Sequence, residues 1–138
     1  MLASPVVLSS AFVTILAVAL YFVTCVNVGR MRYKHHVKAP AITGPLEFEC
    51  AVRVQMNTLE QLPAFVILLW LATVFFSPYP LLAPLLGVVW LIGRVLFFVG
   101  YMQAPEKRAF GFMTSMLTEL ALLLLALTGV VLAFGATA

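Results

Sequence analysis

The sequence has very little charge. Eight lysines and arginines and five glutamates are its only charged side chains in 138 residues, aspartate is absent, and 64% of the residues are apolar. A soluble domain carries about 25% charged and about 45–50% apolar residues. Thirteen charges cannot cover a water-exposed surface of this size. The composition therefore excludes an ordinary soluble globule and a disordered chain, and it indicates a membrane protein.

Basic residues and thiols are also scarce. A net charge of +3 is too small for the basic stripe that binds nucleic acid, so we expect no nucleic-acid partner. Cys25 and Cys50 form no C-x-x-C motif, and we expect free thiols rather than a disulfide framework or a zinc site. His35 and His36 are adjacent, so a helix would point them about 100° apart. We therefore expect no metal site.

Four long apolar segments alternate with short connections. About 20 apolar residues cross the hydrocarbon core of a bilayer, and Pro40, Pro45 and Pro105 interrupt helices between segments. Thr43 is the expected N-cap of the second helix. The first segment is not expected to be a signal peptide, because positive residues follow it rather than precede it. The sequence predicts one all-α domain over 1–138, a four-transmembrane-helix up-down bundle with helices at about 3–33, 46–76, 80–104 and 107–135.

The basic residues of the connections lie on one side of this predicted bundle. They are Arg30, Arg32, Lys34 and Lys38 after the first helix, and Lys107 and Arg108 after the third. The turn after the second helix (S-P-Y-P, residues 77–80) has no charge. By the positive-inside rule, we expect the basic connections in the cytoplasm and both termini outside.

One face of the second helix is predicted to be polar. Four polar residues are spaced by four, four and three positions, which places them on one helical face. They are Glu49, Arg53, Asn57 and Glu60, with Gln55 on the same stretch but off that face. Charged residues in membrane segments often mark a functional path. For each residue alone, a paired helix end at the membrane interface is an equally good interpretation.

The third helix has a single charge, Arg94. Tyr101 follows it by seven residues on the same face, and Arg108 lies seven residues further on, sharing that face if the helix continues past Pro105. Arg94 could be neutralised by Glu60 or Glu119 and simply lock the bundle. The whole set nevertheless holds more arginines than such a clamp needs, and arginine suits bidentate contacts with carboxylates. The set predicts a site for a small zwitterion with more than one carboxylate, beside an apolar groove for a lipid-soluble co-substrate.

The order of these residues also resembles a family signature. Residues 48–63 read F-E-x-x-x-R-x-Q-x-N-x-x-E-x-x-P, preceded by V-G-R-M-R at 28–32 and P-A-I-T-G-P at 40–45. Arg94, Gly100, Tyr101 and Arg108 then follow at matching spacing. This pattern resembles the MAPEG superfamily, which includes microsomal glutathione transferases, leukotriene-C synthase and the five-lipoxygenase-activating protein. These motifs are most similar to those of the bacterial branch of the superfamily, which implies that the protein lies in a bacterial inner membrane.

The resemblance implies a homotrimer in membrane lipid, with glutathione as co-substrate at subunit interfaces near the cytoplasmic face. Arg108 is then the expected catalytic residue, holding the glutathione thiolate. The residues expected to bind glutathione are Arg53, Gln55, Asn57, Glu60, Arg94 and Tyr101, with Arg32 from the neighbouring subunit. The expected function is conjugation of glutathione to hydrophobic electrophiles, accompanied by peroxidase activity. A non-catalytic lipid-binding adaptor is the alternative, and the lack of an internal repeat argues against a transporter.

Three positions depart from the family pattern. Gln61 stands where the leukotriene-synthesising relatives carry Tyr, Phe97 replaces a second Tyr, and Tyr33 stands at the position of a second candidate catalytic Arg. The first two departures remove hydroxyl groups that would contact glutathione. The sequence therefore predicts a general transferase rather than an enzyme specific for leukotriene synthesis.

Overall fold

Four long helices make up the chain between residues 4 and 137, which are the residues that the computed structural model describes. Each helix is long and apolar enough to cross a membrane. They are α1 Pro5–His35, α2 Leu46–Phe75, α3 Leu82–Gln103 and α4 Ala109–Thr137, with a 3-10 turn at Pro105–Arg108 before α4. The predicted all-α, four-helix architecture is confirmed.

The first helix has a recognisable signal at each end. The Ser4 hydroxyl accepts a hydrogen bond from the Val7 amide at 3.4 Å, and Pro5 occupies the first turn, where its missing N–H costs nothing. His36, with a φ of 55°, adopts the left-handed conformation that commonly ends helices. Residue 3, where this helix was predicted to begin, lies outside the described residues. The other boundaries fall within two residues of those predicted.

The second helix begins differently from the prediction. Thr43 is not its N-cap, because Pro45 occupies that position. No side chain in the described part of the chain caps the first turn of α2. The carboxylate of Glu49 instead accepts a hydrogen bond at 2.9 Å from the amide of Gly44, which lies just before the helix. Glu47 and Glu49 both lie in the first turn, where the positive end of the helix dipole favours them.

The connection between α1 and α2 is tied down by charged contacts. Glu47 accepts hydrogen bonds from Lys34 Nζ at 2.7 Å and pairs with His35 Nε2 at 2.9 Å. Arg32 donates to the Ala41 carbonyl at 2.7 Å, and its guanidinium carbon lies 5.0 Å from the centre of the Phe48 ring. These contacts fix the end of α1 against the start of α2.

Glycines allow α3 and α4 to approach closely. A Cβ atom on Gly111 would lie 2.6 Å from the Gly93 carbonyl oxygen, and one on Gly93 would lie 2.9 Å from the Ser115 amide nitrogen. Real Cβ atoms are not found so close to backbone, so both positions require glycine. Small residues bring membrane helices together in this way. The contact holds α3, and with it Tyr101, against the start of α4.

Aromatic stacking fills the centre of the bundle. The rings of Phe65 on α2 and Trp90 on α3 are parallel, with centroids 3.8 Å apart, and both side chains are fully buried. Trp90 donates its indole N–H to Glu119 Oε1 on α4 at 2.8 Å. A buried indole needs such a partner. This pairing gives Glu119 a structural role at the junction of three helices.

Candidate active site

A cavity of about 350 Å³ lies between α2, α3 and α4, at the end of the bundle that carries the 3-10 turn. Both polar and apolar side chains line it. They are Arg53, Asn57, Phe97, Tyr101, Arg108, Ala109, Phe112 and Met113. Four residues predicted from separate parts of the sequence, two on α2 and two around the end of α3, therefore meet in one cavity.

The polar side of the cavity carries two guanidinium groups. Arg108 Nη1 donates to the Tyr101 hydroxyl at 3.3 Å, and the Arg108 guanidinium carbon lies 5.4 Å from the centre of that ring. Arg53 and Arg108 are both exposed. Among residues 4–137, the ion pairs are those of Glu47, so neither arginine is neutralised by a carboxylate. Two unneutralised guanidinium groups make the cavity attractive to an anion.

Aromatic rings form a further part of the cavity lining. Phe97 is 2% exposed and meets Tyr101 edge to face, with ring centroids 5.4 Å apart. Phe112 lies 6.2 Å from Phe97 between ring centroids. The cavity lining thus combines two guanidinium groups with apolar aromatic rings.

Arg94 lies behind this cavity rather than in its lining. Its side chain is 1% exposed, and Nη1 donates to Asn57 Oδ1 at 3.0 Å and to Gln61 Oε1 at 3.2 Å. Nη2 donates to Thr58 Oγ1 at 2.7 Å. Amide and hydroxyl oxygens from α2 therefore solvate the guanidinium. An ion pair of Arg94 with Glu60 or Glu119, left open by the sequence, is not among those formed within residues 4–137.

Three other residues predicted to bind glutathione also lie off the cavity lining. Gln55 turns towards α1, where its Nε2 lies 3.3 Å from the Tyr21 hydroxyl and 3.8 Å from Cys25 Sγ. Arg32 is engaged with the connection between α1 and α2. Glu60 is exposed but adjacent, because Asn57 Nδ2 lies 3.5 Å from its Oε2 atom. Cys25 and Cys50 are free thiols, as predicted.

The sequence pattern indicates neither the contact of Thr58 with Arg94 nor the position of Phe112 in the cavity lining. A signal for Thr58 existed, since an arginine inside a membrane needs oxygen acceptors on the facing helix, and Thr58 and Gln61 are three residues apart on α2. Phe112 carried no signal beyond being aromatic. Within residues 4–137, no group of three His, Cys, Asp or Glu side chains is placed to hold a metal ion.

Comparison with known proteins gives the family of this chain. The MAPEG family model matches residues 10–128. An uncharacterized protein of Synechocystis sp. is 47% identical over 120 residues, which cover 87% of this chain and 86% of that protein. Microsomal glutathione S-transferase 2 of Mus musculus is 43% identical over 104 residues, covering 75% of this chain and 69% of the relative.

Leukotriene C4 synthase of Cavia porcellus is 40% identical over 98 residues, covering 71% of this chain and 64% of the relative. The resemblance read from the second-helix motif is thereby confirmed over most of the sequence. With four helices able to span a membrane and a family match from residue 10 to residue 128, this chain is an integral multi-pass membrane protein that belongs to the MAPEG family.

Proposed function

We propose that this protein is a membrane-bound glutathione transferase that joins glutathione to hydrophobic electrophiles. The observation that carries the proposal is the cavity lined both by the unneutralised Arg53 and Arg108 and by the aromatic Phe97 and Phe112. Relatives named as a glutathione transferase and a leukotriene C4 synthase support the same assignment. A volume of about 350 Å³ falls within the range of roughly 300–1,000 Å³ typical of small-molecule sites.

The lining suits the chemistry of glutathione, a peptide with two carboxylates, an amine and a thiol. Arg53 offers a fork of donors to a carboxylate. The amide of Asn57 can donate to a carbonyl or carboxylate oxygen, and Glu60 beside it can accept from the amine. Arg108 is left to face the sulfur, with Tyr101 holding its guanidinium at 3.3 Å. Each functional group of the peptide thus has a partner of opposite polarity.

Arg108 is the catalytic residue in this proposal. A positive charge beside a thiol lowers its pKa and favours the thiolate, which is the nucleophilic form. The thiol proton leaves to solvent, and the sulfur lone pair then forms the new carbon–sulfur bond as the leaving group departs with its bonding electrons. A guanidinium held in place stabilises the anion without reorganising during attack. The same thiolate would attack the O–O bond of a lipid hydroperoxide, giving an alcohol and an oxidised sulfur that a second glutathione reduces.

The proposal includes a homotrimer with the site at the subunit interface. Arg32 and Gln55 lie off the cavity of their own subunit, on α1 and on the side of α2 that faces α1. A neighbouring subunit could use this surface to complete the site. We further propose that the basic connections face the cytoplasm and both termini lie outside, in a bacterial inner membrane, in accord with the relative from Synechocystis sp..

A non-catalytic lipid-binding adaptor of the same fold is the second candidate. It is favoured by the side chains at two departures from the family pattern. Phe97 brings no hydroxyl to the cavity, and the amide of Gln61 is occupied by Arg94 and by Met116 Sδ at 3.2 Å. Glutathione would then lack two contacts. A measurement of catalytic turnover with glutathione distinguishes the adaptor from the transferase.

The test is conjugation of glutathione to a generic aryl halide by the full-length protein in detergent. Arg108→Ala should remove most of the turnover. Lys107→Ala is the matched control, because Lys107 is a neighbouring exposed cation whose ammonium bonds Gln103 rather than the cavity. It should leave turnover unchanged. Absence of turnover in the parent protein, together with lipid binding, would replace the transferase with the adaptor.

A further inference from the structure

Arg94 touches the cavity only through other side chains. It is almost completely buried, yet two of its contacts are cavity residues. It donates to the oxygen of Asn57 at 3.0 Å, and its guanidinium carbon lies 4.1 Å from the centre of the Phe97 ring. A residue in this place can shape the site without meeting the ligand.

The contact with Asn57 has a fixed polarity. A guanidinium group has donors and no acceptor, so the Asn57 atom 3.0 Å from Arg94 Nη1 must be the amide oxygen. The amide nitrogen is consequently turned to the other side, where it lies 3.5 Å from Glu60 Oε2. On the side turned away from Arg94, Asn57 therefore presents N–H donors rather than an oxygen.

We propose that Arg94 is a positioning residue that locks the Asn57 amide with its N–H donors towards the cavity, so that Asn57 binds a carboxylate or carbonyl oxygen of the peptide ligand. This inference rests on the proposed function, because the ligand is taken to be glutathione. In the absence of Arg94, the amide could rotate and present its oxygen instead, which would repel the same ligand atom.

Arg94 is the hydrogen-bond donor to all three of its partners on α2. The Thr58 hydroxyl donates to the Val54 carbonyl at 2.7 Å, which leaves its oxygen lone pairs for Arg94 Nη2. Gln61 likewise turns its oxygen to Arg94 and its nitrogen to Met116. Arg94 thus sets the polarity of three α2 side chains, of which Asn57 reaches the cavity. A lysine could keep the charge but would lose the planar fork that bonds all three.

A double-mutant cycle on glutathione affinity tests the proposal. The parent, Arg94→Lys, Asn57→Ala and the double variant are titrated calorimetrically with glutathione as full-length protein in lipid nanodiscs. We expect each single change to raise the Kd about 10-fold, and the double variant to match Asn57→Ala, because residues acting through one contact are not additive. A double variant weaker by about 100-fold, the product of two independent effects, would overturn the positioning role.

Two further variants separate positioning from structure. Thr58→Val removes another acceptor of Arg94 outside the cavity, so it should lower the melting temperature but leave the Kd within about twofold. A Kd change as large as that of Arg94→Lys would count against the proposal. Asn57→Asp leaves Arg94 intact, with an ion pair to favour folding, and removes the N–H donors. It should weaken glutathione binding at least as much as Asn57→Ala, and parent-like binding would refute the assigned polarity.

The same titrations distinguish this inference from the function on which it rests. A parent protein that does not bind glutathione would overturn the proposed function and the role of Arg94 together. A parent that binds glutathione, with independent effects in the cycle, would overturn the role of Arg94 alone.

Discussion

The close contact of α3 with α4 makes Gly111 the most sensitive position for a small substitution. In Gly111→Ala, the added methyl would lie 2.6 Å from the Gly93 carbonyl oxygen and the same distance from Phe97 Cα, and it would also meet the Phe97 amide nitrogen. All three obstacles are backbone atoms, so the helices must move apart. Overpacking a core costs about 1–3 kcal/mol even where neighbouring side chains can adjust. Here the neighbours are backbone atoms, and no side-chain adjustment relieves the contact.

We therefore expect Gly111→Ala to lose at least about 2 kcal/mol, which corresponds to roughly 5–10 °C in melting temperature for a chain of this size. Gly135→Ala is the matched control. Among residues 4–137 nothing lies within 4 Å of a Cβ atom there, so the helix propensity of alanine should make the change neutral or slightly stabilising. Thermal unfolding followed by circular dichroism in detergent measures both. A Gly111→Ala protein as stable as the parent would refute the packing argument.

Three further predictions concern the cavity, the core and the first connection. Phe97→Tyr should tighten glutathione binding several-fold, the effect of about 1 kcal/mol from one ordinary hydrogen bond, and an unchanged Kd by calorimetry would show that the added hydroxyl finds no partner. Trp90→Phe should destabilise the bundle by about 1–3 kcal/mol, because Glu119 loses its indole donor inside the membrane. Thermal unfolding measures this loss of stability, and an unchanged midpoint would contradict the structural role of the Trp90–Glu119 hydrogen bond. Glu47→Gln should lower the melting temperature slightly at low salt by loosening Lys34, and high salt should erase the difference. A difference in melting temperature that persists in high salt would show that the loss of this surface ion pair is not its cause.

The helices were predictable because bilayer thickness sets their length. An uncharged run of about 20 residues is long enough to span a membrane, and Pro45 and Pro105 mark where α2 and the segment before α4 begin. The start of α2 was not predictable from Thr43. The position of the N-cap depends on how the chain enters the helix, and here the backbone places Pro45 rather than Thr43 at that position.

The cavity was partly predictable from helical spacing. Arg53 and Asn57 share a face of α2, so helical periodicity brings them together. Arg108 does not lie on α3, because that helix ends at Gln103, and the 3-10 turn at Pro105–Arg108 returns its guanidinium to the Tyr101 hydroxyl. Spacing cannot give the rotation of α3 against α2. That rotation buries Arg94 behind Asn57 instead of exposing it to the ligand.

The ultraviolet difference spectrum of bound glutathione tests the central claim most directly. Thiolate absorbs where the thiol does not, so the spectrum reports whether Arg108 holds the ionised sulfur. Near neutral pH, the parent and Lys107→Ala should show a thiolate band on adding glutathione, and Arg108→Ala should lose it while still binding the peptide through Arg53 and Asn57. A thiolate band of equal size in Arg108→Ala, or no band in the parent, would contradict the account.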